Sequence, residues 1–296
     1  MNKKILILVD SSSTINLEQA KKYEIEILPL SIYRSDGSTY IYESLKMSGN
    51  QFLEMGDEDY TFSTSCTPQG ILEEVINDKL NKYDAIIALP ISQRWSSQYD
   101  HLKALSLQEQ YVNKLFVVNT LEYGYAIECL AIELRQMINE GIYTISDLVD
   151  YAENYHKFTI CYFACKVLKG LVDSGRVPKI AAKLFKLAKI KPILRVEGEN
   201  HLETIIKNFS EVINKIIKAI IKIYGGEFIN KNIKKITILT ADNSSEYLQE
   251  VVTDLSKTFG IDKKDVEIRQ APNIFINIVG RGAIGVHVIA NKQKVK

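Results

Sequence analysis

The sequence predicts an α/β protein organised around a largely parallel sheet. Short apolar runs rich in β-branched residues alternate with segments of helical period, the order expected of repeated strand–helix units. Its 296 residues suit one large or two medium domains. A hydrophobic content of 46% supplies a core, and 25% charged residues is ordinary for a globular chain.

The elements follow in order. "KILILV" (4–9) reads as a buried strand that stops at Asp10 and a serine cluster, with a short helix at 17–22. "EIEILPLSIY" (24–33) reads as a second strand, and Asp36-Gly37 as a turn. Residues 67–81 set Ile71, Leu72, Val75, Ile76 and Leu80 on one helical face, with Thr67 as the cap and Pro68 at the first helical position. "DAIIALPI" (84–91) and "KLFVVN" (114–119) are the next buried strands. Helices are expected at 124–140 and 145–156, the second opened by Thr144 with Asp147 three residues on, a capping-box pair.

Beyond residue 157 lysine dominates the basic residues. That shift places a domain boundary near 150–160, giving an N-terminal domain at 1–155 and a C-terminal one at 156–296. A helix at 203–224 would bury Ile205, Ile206, Phe209, Ile213, Ile216, Ile217 and Ile220 behind a solvated lysine stripe. "VHVIA" near the end reads as a strand carrying His287.

Composition narrows the function. With 37 basic and 36 acidic residues, the chain has no global electrostatic footprint for nucleic acid. Cys66, Cys129, Cys161 and Cys165 form no CxxC pair, which argues against zinc and against a disulfide framework and suits a reducing cytoplasm. The apolar run Ile5–Val9 is too short for a signal peptide, and nothing approaches the roughly 20 apolar residues of a membrane span. A cytoplasmic protein without stable membrane insertion, metal or cofactor is expected.

"FSTSCTPQG" (62–70) reads as a hydroxyl-rich loop before a helix. It admits three readings: an ordinary cap, a nucleophile at Cys66, or a cradle for an anion built from small hydroxyls and free amides. Thr67 suits the cap, while Thr64 and Ser65 suit the cradle. A nucleophile at Cys66 or Ser96 lacks a histidine in a recognisable context and a GxSxG elbow. A second cluster, "PISQRWSSQY" (90–99), opens another helix with Ser96 and Ser97. Two such turns on consecutive parallel units would bring their hydroxyls to the carboxyl end of one sheet, where open α/β folds bind ligands. "GRGAIG" (280–285) matches GxGxxG formally, but no helix, second strand or acidic residue can follow it. Its glycines instead suit unusual dihedrals or a close approach.

Several of these stretches, in this order, resemble the DegV family of bacterial fatty-acid-binding proteins. "ILVDSSSTI" is similar to the family's opening strand and Asp-Ser-Thr/Ser segment, and "IEILPLSIY" to the strand after it. "TSCTPQG" resembles its Thr-Ser-Gln-Pro loop, and "PISQRWSSQY" its Ser-Ser-x-Leu-Ser-Gly-Thr-Tyr turn. "LVDSGRVPKIAAKLFKLAKIKPIL" (171–194) is similar to its Gly-Arg, amphipathic-helix and Lys-Pro-Ile segment, and "GRGAIG" to its closing glycine turn.

The resemblance implies two α/β domains, the first with a largely parallel sheet flanked by helices and the second with a mixed sheet. It implies a non-catalytic carrier of a long-chain fatty acid whose tail lies in an apolar tunnel between the domains. The carboxylate would be held by Thr64 and Ser96, with Ser65, Ser97, Gly280 and Gly282 nearby. Arg176 would meet a fatty acid kinase that phosphorylates the carboxyl group, the entry to phospholipid metabolism. The chain departs from the pattern at Cys66, where the family has Gln, and at Ser96-Ser97-Gln98, where it has Ser-Gly-Thr. Arg94-Trp95 replaces a small residue and a leucine, and Ile278 stands where many members have His. The competing functions are a small-molecule hydrolase or transferase using Cys66 or Ser96, and a divergent lipid sensor with no kinase partner.

Overall fold

The computed structural model describes residues 3–56, 62–175, 185, 189–225, 232–241, 245–291 and 294. They divide into two compact units. The first comprises the chain up to Ser48, Gly56–His156 and Pro272–Ile274; the second comprises Gly49–Met55, Lys157–Ala271 and Phe275 onward.

The first unit is built on a four-stranded parallel sheet in the order β2-β1-β6-β7. Its strands are β1 (Ile5–Asp10), β2 (Ile25–Leu28), β6 (Ala85–Leu89) and β7 (Leu115–Val117). β1 is central and pairs with β2 from Ile7↔Ile25 and with β6 from Ile5↔Ala85. Every residue of β1 and β6 is buried, because a parallel strand covered on both faces must be apolar throughout. Leu6, Leu8, Ile86 and Ala88 pack with Leu72 and Ile76 of α3 (Gln69–Leu80) and with Leu102 and Leu105 of α4 (Gln98–Ser106). Ile5, Ile7 and Val9 alternate to the opposite face, where α5 (Tyr125–Glu140) lies against β1. α1 (Leu17–Lys22) carries an Asn16–Gln19 capping box, and α6 (Ile145–Asn154) the expected Thr144–Asp147 box.

Three readings of this region are corrected. Residues 24–33 are two strands rather than one: β2 ends at Leu28, and β3 (Ser31–Arg34) joins a different sheet. Pro29 stands at the break between them; it has no N–H to add to a ladder, and from Ser31 the chain pairs with Thr39–Tyr40 and Phe62–Ser65 instead of β1. The stretch 62–70 is not all loop. Phe62–Ser65 is a strand, β5, pairing antiparallel with β3 through Ser31↔Ser65 and Ile32↔Thr64. With β4 (Thr39–Tyr40), reached through the Asp36-Gly37 turn, these make a three-stranded antiparallel sheet in the order β4-β3-β5. The two hydroxyl-rich turns therefore do not follow consecutive strands of one parallel sheet. Finally, α3 begins at Gln69 with Pro68 in the cap position and no side-chain cap; Thr67 is not the cap.

In the second unit a six-stranded mixed sheet runs in the order β10-β9-β8-β13-β11-β12. It is formed by β8 (Thr159–Ala164), β9 (Lys191–Glu197), β10 (Glu199–Ile206), β11 (Ile233–Thr240), β12 (Val266–Gln270) and β13 (Ile284–Ala290). Only β11 and β12 pair in parallel; the other neighbours are antiparallel. Among the described residues the helices of this half of the chain are α7 (Lys169–Asp173), α8 (Val212–Tyr224), α9 (Ser245–Phe259) and α10 (Asn273–Val279), while α2 (Gly49–Gly56) contributes Gly49–Met55 to the unit.

The helix expected at 203–224 is shorter: Thr204–Ile206 belong to β10, and the helix starts at Val212. Thr204, Ile205 and Ile206 are β-branched and find partners on β9, so ladder bonds prevail over a helical pattern. From Val212 the helical reading holds. Ile213, Ile216, Ile217 and Ile220 are buried in one core with Ile236, Ile238, Val286 and Val288, while Lys215, Lys218 and Lys222 are exposed. Each isoleucine so buried contributes about 1.5–3 kcal/mol. In the segment 171–194, residues 176–184 and 186–188, including Arg176, lie outside the described residues.

Candidate functional site

In the first unit three loops leave the carboxyl edge of the parallel sheet: Ser11–Asn16 after β1, Pro90–Ser97 after β6 and Val118–Gly124 after β7. Asp10, at the end of β1 and 1% exposed, ties two of them. Its Oδ1 accepts the Ser12 amide at 2.9 Å, and its Oδ2 accepts the Ile91 amide at 2.8 Å. Burial pushes the Asp10 carboxyl up from its ordinary range, against the lowering effect of the Ser12 and Ile91 donors. The third loop is bound to both others, because Gly124 donates to the Ser12 carbonyl and Ser92 to the Glu122 carbonyl. Glu128, buried on α5, accepts from the Thr14 hydroxyl and from Gln19 Nε2.

The β5–α3 junction meets the β6–α4 loop side chain to side chain. Cys66 Sγ lies 3.6 Å from Ser96 Oγ. The Thr67 amide donates to Gln98 Oε1 at 2.9 Å, and Gln98 Nε2 donates to Thr67 Oγ1 at 3.1 Å. Thr67 in turn donates its hydroxyl proton to the Pro29 carbonyl at 2.9 Å. Thr67 and Gln98 are both fully enclosed, at 1% and 0% exposure. Ser96 Oγ also accepts the Gln98 amide at 3.3 Å, and the Ser31 hydroxyl donates to the Cys66 carbonyl.

The two hydroxyl clusters singled out in the sequence are thus neighbours, although the route is not a shared parallel sheet. Cys66 and Thr67 make the recorded contacts, while Thr64 and Ser65 sit just upstream on β5, half-buried and exposed respectively. Ser96 is half-buried; Ser97 is exposed and stands at the α4 cap position without a side-chain bond. Trp95 points inward, 6% exposed and stacked on Tyr123 with ring centroids 5.4 Å apart, whereas Arg94 is exposed.

Sequence reasoning missed Gln98 and Asp10 as organisers of these loops. The signal for Asp10 was present: an acidic residue ending an apolar strand just before "SSS". For Gln98 there was none, because its partner is 31 residues away. Ser13 Oγ and Asn119 Oδ1 are also buried on these loops with no hydrogen-bond partner among the described residues. Such atoms mark places where water or a ligand completes the bonding.

Gly280 and Gly282 belong to the second unit and precede β13. Both have φ of +69°, the left-handed region that favours glycine, as the turn reading required. Ile278 is buried in α10. His287 is 1% exposed in β13, and burial depresses its pKa to about 3.

The family model described as "Uncharacterised protein, DegV family" matches residues 4–291. A DegV domain-containing protein of Ureaplasma parvum serovar 3 is 38% identical over 294 residues, covering 99% of this chain and 98% of its own. Among solved structures, a fatty-acid-binding DegV family protein from Thermus thermophilus superposes with a TM-score of 0.82 at 17% identity, over 97% of this chain and 99% of that one. A stearic-acid-binding protein from Eubacterium ventriosum gives 0.82 at 18% identity, over 98% of both chains. At these identities the two structures establish the fold.

Proposed function

The chain belongs to the DegV family, and from that premise we propose that it is a non-catalytic carrier of a long-chain fatty acid. In this reading Thr64, Ser65, Ser96 and Ser97 hold the carboxylate, with Gly280 and Gly282 as further candidates, and the acyl tail is buried in an apolar tunnel. The observation that carries the reading is the meeting of the two hydroxyl-bearing junctions at Cys66 and Ser96. The Thermus and Eubacterium neighbours, described as binding fatty acid and stearic acid, support that ligand class.

The energetics divide the labour. Burying a tail of about fifteen carbons contributes on the order of 12 kcal/mol gross, at roughly 0.8 kcal/mol per methylene. Lost ligand freedom and ordering of the protein offset much of this. The tail therefore supplies affinity, and charge-assisted hydrogen bonds fix the head, each about twice as strong as a neutral one. Small neutral donors leave a carboxylate oxygen open to a second protein. The carrier would present it to a fatty acid kinase for conversion to the acyl phosphate. Arg176, outside the described residues, remains the candidate contact for that partner on the resemblance alone.

A hydrolase or transferase would need a base bonded to its nucleophile. The bonds of the Ser96 hydroxyl among the described residues go to Cys66 and to the Gln98 amide, and neither is a base. The carrier needs none.

Native mass spectrometry of the purified protein tests the reading. An adduct of fatty-acid mass is expected, either co-purified or after loading with stearic acid. Protein that shows no adduct in either state overturns it, as does esterase activity that disappears in Cys66→Ala or Ser96→Ala.

A further inference from the structure

Gln98 is a fully buried amide whose two ends both terminate on one residue of another element. The direction of each bond is dictated by chemistry. The Thr67 N–H can only donate, so it must face Gln98 Oε1. Thr67 gives its own hydroxyl proton to the Pro29 carbonyl, so its oxygen is left to accept from Gln98 Nε2. One closed circuit therefore runs from the start of α4, through the residue before the α3 cap, to the break between β2 and β3. Each member is buried, and the Thr67 amide, the Thr67 hydroxyl and Gln98 Nε2 each donate to an acceptor within it.

The circuit lies beside the Cys66–Ser96 contact on both strands of the chain. Thr67 follows Cys66 directly, and the Gln98 amide donates to Ser96 Oγ at 3.3 Å. Holding Gln98 against Thr67 thus fixes the distance between the two hydroxyl-bearing junctions and orients Ser96. Its hydroxyl oxygen accepts the Gln98 amide proton, and its one O–H proton is available for donation to a ligand.

We propose that Gln98 is a positioning residue for head-group recognition: its clamp on Thr67 sets the spacing of the β5–α3 and β6–α4 junctions, so that it governs affinity for the carboxylate and not for the tail. The inference rests on the carrier reading. A side chain that only filled space in the first unit would affect any ligand alike. A clamp that sets donor geometry separates ligands by their head.

The test compares stearic acid with stearyl alcohol, which has the same tail and no carboxylate, on wild type, Gln98→Met and Thr67→Val. Gln98→Met keeps the volume and removes both side-chain bonds. Thr67→Val keeps the shape and removes the hydroxyl, so one variant remains informative should the other fail to fold. Both variants are expected to bind stearic acid about tenfold more weakly, the scale of one or two lost hydrogen bonds. Their affinity for the alcohol should stay within about twofold of wild type, because its neutral hydroxyl makes weaker bonds to the positioned donors than a carboxylate does. Equal losses for acid and alcohol, or no loss for either, overturn the positioning role while leaving the carrier reading intact. Wild type that takes up neither ligand overturns the carrier reading, and this inference with it.

Discussion

The Cys66 sulfur lies 3.6 Å from the Ser96 hydroxyl, joining the end of β5 to the start of α4. Cys66 is half-buried, whereas Cys129, Cys161 and Cys165 are buried. A thiol reagent should therefore modify one cysteine in the folded protein and all four in denaturant. If the carboxylate sits at Ser96, loading with fatty acid will slow that reaction about tenfold or more, as expected when a reactive thiol loses access. Peptide mapping after timed alkylation reads both. Labelling of Cys66 at the same rate with and without ligand would remove the head group from this junction.

Ser96→Ala and Thr64→Ala should each weaken fatty-acid binding. A hydrogen bond to a charged group contributes about 1.5–3 kcal/mol, so each loss should be roughly tenfold to a hundredfold. Both residues are half-buried, and neither is part of the sheet core, so the thermal midpoint should move little. Titration calorimetry with a matched melting curve checks the pair. Unchanged affinity takes the residue out of the site.

Asp10→Asn should destabilise the first unit by about 1–3 kcal/mol at neutral pH, because an amide group cannot accept both the Ser12 and the Ile91 N–H. Burial raises the carboxyl pKa above its ordinary value of 3.8, so the folded state holds its proton more tightly than the unfolded state. That contribution is fully present below 3.8 and is lost as pH rises through the higher folded value. The stability gap between wild type and variant should widen as pH falls from 7 toward 4. A gap that narrows instead would show the carboxyl to be lowered.

His287 titrates with the opposite sign. Its folded pKa of about 3 lies below the ordinary 6.5, so the unfolded chain gains a proton first as pH falls. Stability is present above 6.5 and is lost on the way down to 3, by on the order of 5 kcal/mol at most. Denaturant unfolding of wild type and His287→Gln across that range should show wild type losing ground to the variant. Parallel profiles would mean that His287 is solvated.

How much of this was legible in the chain depended on where each element finds its bonds. β1 and β6 announce themselves because strands buried on both faces are apolar at every position. α5 and α6 are visible in their period, and α6 also in its Thr144–Asp147 cap, which is settled by residues three apart. β5 has no such signature. "FSTS" is a strand because β3 supplies its ladder, and that partner is some thirty residues away. At Thr204–Ile206, likewise, the pairing with β9 overrode a plausible helical face.

The sequence alone determined the fold class, the family and the two hydroxyl-rich junctions, since these rest on local patterns and on motifs in order. Only the tertiary structure decided that Thr67 bonds Gln98 and Pro29 instead of capping α3, that Cys66 meets Ser96, and that Trp95 points inward. A buried polar side chain must find a partner wherever the fold supplies one. That partner is chosen by geometry in space, which spacing along the chain does not encode.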